Sequence, residues 1–454
     1  MPFPFTLPTT SSLSFTTHFT SPTHPSLPIT TSTHRASVRS ALKAHKRLSP
    51  AAQSANLPSL QAQLESYLPY LLTLDAGLSP TSPIDVVLTS SPVFSWRPTL
   101  TSAPIPGREQ PRATLTSLEH EILFVLATLS YIHTLLARAL LLPLSSAPAP
   151  SAAARTAAIT AATRHLLLSA SIHLHLAQRA DALPAPPVPD LSPPVLRALS
   201  ALAHAEATLL AVLKDDPYPA ATLQALSPTD KEWMIGAPAL PKVRAHLFAR
   251  LCLAAAAHAA TASSLLAAAA ATATTTTTTG SARLDDETLR YADDLRRVGR
   301  ARACRFLGLD AEAAGATGEG IAWLRAGLAE VSAGAPLSSL SLSRGLSRLK
   351  AAERREDAGR ADEGRVLRAL EAKWTRLNDA VGAQAVPEPG ALWARMPGGR
   401  EMYVVAPWRG TVLEGEVVEA MRGAPEGREE EEGGSGESDE EPFPAGGSAG
   451  AGYY

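Results

Sequence analysis

Apolar residues recur every three or four positions through most of this chain, and the period is clearest from Leu196 to Leu266. The run LRALSALAHAEATLLAVLKDD places Leu199, Leu202, Glu206, Leu209 and Leu213 at that spacing. The run KVRAHLFARLCLAAAAHAATASSLL does the same with Val243, Leu247, Leu251 and Ala255, with Phe248 and Leu253 on neighbouring faces. Stripes of this kind face a helical core. Both are broad, which predicts two helices that pack on more than one side. Prolines at 217, 219, 228, 238 and 241 separate them and exclude one continuous helix.

The same period predicts helices over 34–48, 57–74 (bent at Pro69), 116–142 and 152–182. Thr116-Ser117-Leu118-Glu119 is a capping-box pattern opening the third of these. Further on, a helix over 285–309 and its partner over 318–332 are joined by a short glycine-containing link. That predicts an antiparallel pair of the tetratricopeptide type, with Ala301, Ala303, Ala322 and Ala326 allowing close approach. A long charged helix follows over 342–380, with a sparse stripe of Leu367, Leu370, Trp374 and Leu377. Before residue 34 the chain is rich in Pro, Ser and Thr, where Leu13, Phe15 and Phe19 can form short edge strands. Residues 79–112 read as loop with VFSWRPTL docked on the core, and 386–408 reads as irregular. The Ala/Thr run over 267–282 reads as a low-complexity, flexible insertion. From Ala424 on, nine acidic residues stand against Arg428 among Gly and Ser, which predicts a disordered acidic tail over 424–454 after one domain over 1–423.

Composition narrows the classes. Aromatics are 5% of 454 residues while Ala and Leu dominate, which suits helix-on-helix packing. A net charge of −2 gives no global signal for nucleic acid. Cys252 and Cys304 are the two cysteines, too few for a disulfide scaffold or a four-thiolate zinc site, and both suit a reducing compartment. The N-terminus does not read as a signal peptide, and neither end carries a lipidation motif. The apolar run Ile122–Leu142 is long enough to span a bilayer, but His133 and Arg138 inside it favour a buried core helix.

Candidate chemistry is sparse. Walker, dinucleotide and HExxH motifs are lacking. His173 and His175, two apart, fall on different helix faces and do not form a metal pair. His165, His204, His246 and His258 read as isolated. Asp215 and Asp216 close a helix as a turn or cap, and Cys252 reads as an inert core thiol. Residues alone give an all-α scaffold that binds something.

The stretches AATRHLLLSASIHL, LAHAEATLLAVLKD, KVRAHLFARLCLAAAAHA, GEGIAWLRAGL and LEAKWTRLNDAVGAQAVPE occur in this order. Together they resemble the BRO domain of the ALIX and Rim/Pal proteins of the ESCRT pathway, up to about residue 420. MPFPFTLPTTSSLSF, FSWRPTLTSAPIPGRE and KEWMIGAPALPKVRAHL are similar to the fungal ambient-pH branch of that family. The resemblance implies a curved BRO-like scaffold with a tetratricopeptide-like core and no cofactor, metal or catalytic residue. It implies a non-enzymatic adaptor of alkaline-pH signalling. Its partner would be the C-terminal amphipathic helix of the ESCRT-III filament subunit, seated in an apolar groove. A pH-sensing receptor and arrestin complex and a calpain-like protease would be indirect partners, and proteolytic activation of a zinc-finger transcription factor the output. The protein would be cytoplasmic and recruited to plasma or endosomal membrane.

Matching motif to motif puts the groove at Leu209, Leu247 and Leu251, the last two one helical turn apart. Leucines at this spacing suit a plain core equally well. The chain differs from ALIX in lacking a coiled-coil arm and a Pro-rich tail, so binding of YPxL ligands is not expected. A peripheral-membrane scaffold and a helical-repeat adaptor for another peptide remain as alternatives. The charges over 350–368 are mixed in sign, which does not favour the first.

Overall fold

Nine helices of sixteen residues or more carry the fold of the described residues: 1–102, 109–145, 151–183, 188–219, 221, 242–275, 283–333 and 357–423 of a computed structural model. They are α1 (Ser26–Lys46), α2 (Pro50–Gly77), α3 (Leu118–Leu141), α4 (Ala152–Asp181), α5 (Pro193–Asp215), α6 (Lys242–Thr275), α7 (Asp286–Ala313), α8 (Thr317–Ser332) and α9 (Arg360–Leu377). Each of α1 to α8 packs on the next in sequence, and α9 lies on α7 and α8. The broad stripes of α5 and α6 are used on both sides: α5 packs on α4 and α6, and α6 on α5 and α7. Among the described residues, three helical stretches (Leu118–Leu144, Pro193–Asp215 and Arg244–Thr272) are long and apolar enough to cross a membrane, and the first two are mostly buried in this core.

Short strands flank the first helices. Strands β1 (Thr9–Thr10), β4 (Phe94–Arg97) and β5 (Ala113–Leu115) form an antiparallel sheet with β4 in the middle. Strands β2 (Phe19–Thr20) and β3 (Val87–Leu88) form a second pair. The FSWR strand buries Phe94 and Trp96 on alternate positions, so the island expected to dock does so as a strand. Glu121 of α3 anchors this corner. It accepts from Arg35 Nε (2.8 Å) and Trp96 Nε1 (2.5 Å), and Arg35 also donates to Thr10 Oγ1 and the Ser11 carbonyl. The ion pair is fully buried, and the surrounding donors satisfy it.

Several boundaries differ from expectation. Helix α1 begins eight residues early, at Ser26, because Leu27 and Thr31 are buried against the core and Thr31 returns its hydroxyl to the Leu27 carbonyl. Leu13 and Phe15 lie outside the strands, Phe15 in a 3-10 turn. Helix α2 spans both Pro58 and Pro69. Ser117, not Thr116, caps α3, accepting from the Glu119 amide. The expected insertion is helical as far as Thr275, as alanine propensity sustains the end of α6 beyond its buried face. In α9, Leu367, Leu370 and Trp374 are buried but Leu377 is half exposed. The remainder of the low-complexity run, most of the proline-rich connector, the first part of the charged helix and the acidic tail lie outside the described residues.

The predicted helix pair is present as α7 and α8, with Ala301, Ala303, Ala322 and Ala326 all buried. Glycines bring the two axes closer still. A Cβ on Gly308 would lie 3.1 Å from the Gly320 carbonyl, and one on Gly327 would lie 3.2 Å from that of Ala301.

Beyond α9 the chain returns as a strap. Arg400 N donates to the Arg250 carbonyl, Ser171 Oγ to that of Ala406, and Leu413 N to Thr73 Oγ1. Gly423 N reaches the Thr23 carbonyl beside the start of α1. The segment expected to be irregular, 386–408, holds two short helical turns (Pro389–Leu392 and Trp393–Arg395) and is otherwise without regular structure, its later part tied down by these bonds.

Candidate functional site

The three candidate groove residues fall on the adjoining helices α5 and α6. Leu209 comes from α5, and Leu247 and Leu251 from successive turns of α6. Leu209 and Leu251 belong to the main core at 6% and 5% exposure, whereas Leu247 packs against its edge and keeps part of its surface open. Of the three, Leu247 is the one with appreciable surface open to solvent. Arg244 and Arg250, three residues away on either side, stand exposed and partly exposed. An apolar position between two cations suits an amphipathic helix that also carries acidic groups. A cavity of about 580 Å³ lies elsewhere, between the N-terminal stretch, α1, α2 and α3, and is lined by Phe5, Leu7, Leu42, Leu57 and Leu135.

Buried charge frames the end of α5. Asp216 takes the Tyr218 amide, as a helix-closing turn should, and a bidentate contact from Arg305 of α7 at 2.6 and 3.1 Å. Arg305 also binds Glu363 of α9 at 2.6 Å, which in turn takes Arg302 at 3.0 Å. Burial works against the Arg305 charge, but the two carboxylates outweigh it and raise its pKa. These groups join three helices and are closed to solvent, which marks them as structural. Burial pushes both Cys252 and Cys304 up to about 12, consistent with inert core thiols.

The histidines expected to stand alone do not all do so. His165 approaches His133, with Nδ1 atoms 3.0 Å apart. The rings of His204 of α5 and His258 of α6 lie against each other, centroids 4.1 Å apart and planes tilted by 30°. Glu401 of the strap closes on both: its Oε2 is 2.9 Å from His258 Nε2 and 4.0 Å from His204 Nε2. No spacing in the sequence could have united residues from three separate elements. By contrast His173 is buried without a hydrogen-bond partner, and burial lowers its pKa to about 3.

No family model matches the chain. It is 41% identical to the pH-response regulator protein palC of Emericella nidulans, over 94% of this chain and 92% of the relative. Among solved structures it is similar to ALIX in complex with the PYKEVTEDL late domain, with a TM-score of 0.56 and 16% identity over 90% of this chain. The chain spans 49% of that ALIX chain. It is also similar to the ALIX BRO1 and CHMP4C complex, with a TM-score of 0.50 and 15% identity over 92% of this chain and 97% of that one. At these identities the structural likeness establishes the fold, that of the BRO domain.

Proposed function

The chain belongs to the palC family of pH-response regulators, and from that premise we propose that it is a non-enzymatic adaptor of ambient-pH signalling built on a BRO-like unit over 1–423. It binds the C-terminal amphipathic helix of the ESCRT-III filament subunit. The observation that carries the reading is the identity over nearly the full length of both chains. Support for the partner comes from the BRO-domain fold, seen in ALIX bound to CHMP4C. Leu247, open at the edge of the core between Arg244 and Arg250, supports the place.

In this reading the apolar face of the incoming helix covers Leu247, and its acidic groups meet the flanking arginines. Leu209 and Leu251 set the floor of the groove. Binding brings a cytoplasmic adaptor to plasma or endosomal membrane, beside the receptor and arrestin complex and the calpain-like protease that cleaves the transcription factor PacC. The adaptor itself cleaves nothing.

Fluorescence anisotropy with a labelled C-terminal helix of the filament subunit tests this. Wild type binds, and Leu247→Asp weakens binding by about tenfold or more, the loss of one apolar anchor, while circular dichroism stays unchanged. Leu251→Asp is the less informative variant, since a buried carboxylate at 5% exposure would disturb the fold itself. A folded wild type that fails to bind the helix would remove the partner. Equal binding by wild type and Leu247→Asp would remove the site.

A further inference from the structure

The cluster of His204, His258 and Glu401 lies outside the groove and has no part in the adaptor reading. Its three ligand atoms lie within 4.8 Å of one another. Around a tetrahedral zinc with bonds of about 2.1 Å, neighbouring ligand atoms stand about 3.4 Å apart. The separations of Glu401 Oε2 from the two imidazole nitrogens, 2.9 Å and 4.0 Å, fall on either side of that value. Small side-chain rotations would therefore bring all three atoms onto one centre.

The donor set is chemically coherent. Two imidazole nitrogens and one carboxylate oxygen suit zinc and its late first-row neighbours, and are a poor match for calcium or magnesium, which prefer oxygen. His204 is mostly shielded, with 12% of its side chain exposed. Glu401 is 56% exposed, which leaves an entry path from solvent. His204 Nε2 donates to the Tyr403 carbonyl at 3.2 Å in the free protein; metal binding replaces this bond, and a water can complete the shell.

We propose that His204 Nε2, His258 Nε2 and Glu401 Oε2 form a binding site for one divalent transition-metal ion, zinc above all, that fastens the strap across α5 and α6. The two histidines come from helices already packed together. Glu401 comes from the strap, which the Arg400–Arg250 and Arg250–Gly398 hydrogen bonds hold beside the site. An ion bound here joins all three elements through coordinate bonds, in place of the His258–Glu401 and His204–Tyr403 hydrogen bonds.

The test uses the untagged full-length chain. Zinc is titrated calorimetrically, and cobalt(II) serves as a spectroscopic probe of a tetrahedral site. Wild type takes up one equivalent and its melting temperature rises with zinc. Glu401→Gln and His258→Gln each bind zinc about a hundredfold more weakly, at least the loss seen when a supporting partner of a metal ligand is removed. Glu401 is exposed, so its variant keeps the fold, which circular dichroism verifies. Hydrogen exchange over residues 398–408 slows with zinc in wild type and not in Glu401→Gln. The proposal is overturned if wild type takes up no zinc at micromolar concentrations. It is equally overturned if a His204→Gln, His258→Gln double variant keeps wild-type affinity, which would place binding elsewhere, for example at His133 and His165.

Discussion

Glu206 occupies the apolar stripe of α5 three residues before Leu209, and its burial has a pH signature. The carboxylate accepts from Tyr291 Oη at 2.6 Å and from the Phe3 amide at 3.1 Å. Burial nevertheless dominates and pushes its pKa from 4.5 up to about 7. A raised folded-state pKa means that folding takes up a proton. The contribution is fully present below about 4.5 and is lost as the pH climbs through about 7. Glu206→Gln, neutral throughout, should therefore lose less stability than wild type between about pH 5 and pH 8, a difference of roughly 3 kcal/mol at most. Denaturant melts of both proteins at several pH values would show it, and parallel curves would contradict it. The sequence placed Glu206 in a helix stripe but carried no sign of Tyr291 or Phe3, which arrive from distant segments. The candidate groove leucines were legible as helix positions. Their division into two buried residues and one open one was not, because it depends on which neighbours cover each face. His204, His258 and Glu401 were illegible as a group for the same reason.

At the scale of elements, periodicity located the long helices because burial enforces the same period that defines them. It failed where something else set the boundary. Ser26–Thr33 is helical through its tertiary contacts against its own composition, and the end of α6 is helical through alanine alone. Short strands such as FSWR hold too few residues to show a period, so only their docking was predictable. The α7–α8 contact gives a sharper test. A Cβ on Gly327 would meet the Ala301 carbonyl, Cys304 Cβ and Leu367 Cδ2, all at 3.2 Å. Alanine gains about 1 kcal/mol over glycine in a free helix, but overpacking a core costs about 1–3 kcal/mol. With neighbours closing from both α7 and α9, Gly327→Ala should be net destabilising, lowering the melting temperature by a few degrees. A higher melting temperature would show that α8 can move away from α7 and α9 without cost.

Across the whole molecule, the strap ties the late chain to the early helices. Gly399 lies so close to α6 that a Cβ there would stand 2.9 Å from the Ala254 backbone nitrogen. Gly399→Val should lift this part of the strap, raising amide exchange over 398–408 while leaving helical circular dichroism unchanged. Unaltered exchange would mean that the strap is held mainly from its far end. Its contacts also run in a definite direction. As the strap advances from residue 398 to 423, its partners step backwards through Arg250, His204, Ser171, Thr73 and Ser26. Apart from the Glu401–His258 contact, at 143, the sequence separation grows along the strap from 148 to 395 residues. Such contacts contribute to stability only after the intervening chain has been closed, so they cannot guide early folding. During synthesis the helices emerge and stack in order, each on the one before, while the strap is still unmade. A stack built in that order keeps this face bare until residues 398–423 are made and lie down along it in reverse, from α6 towards α1.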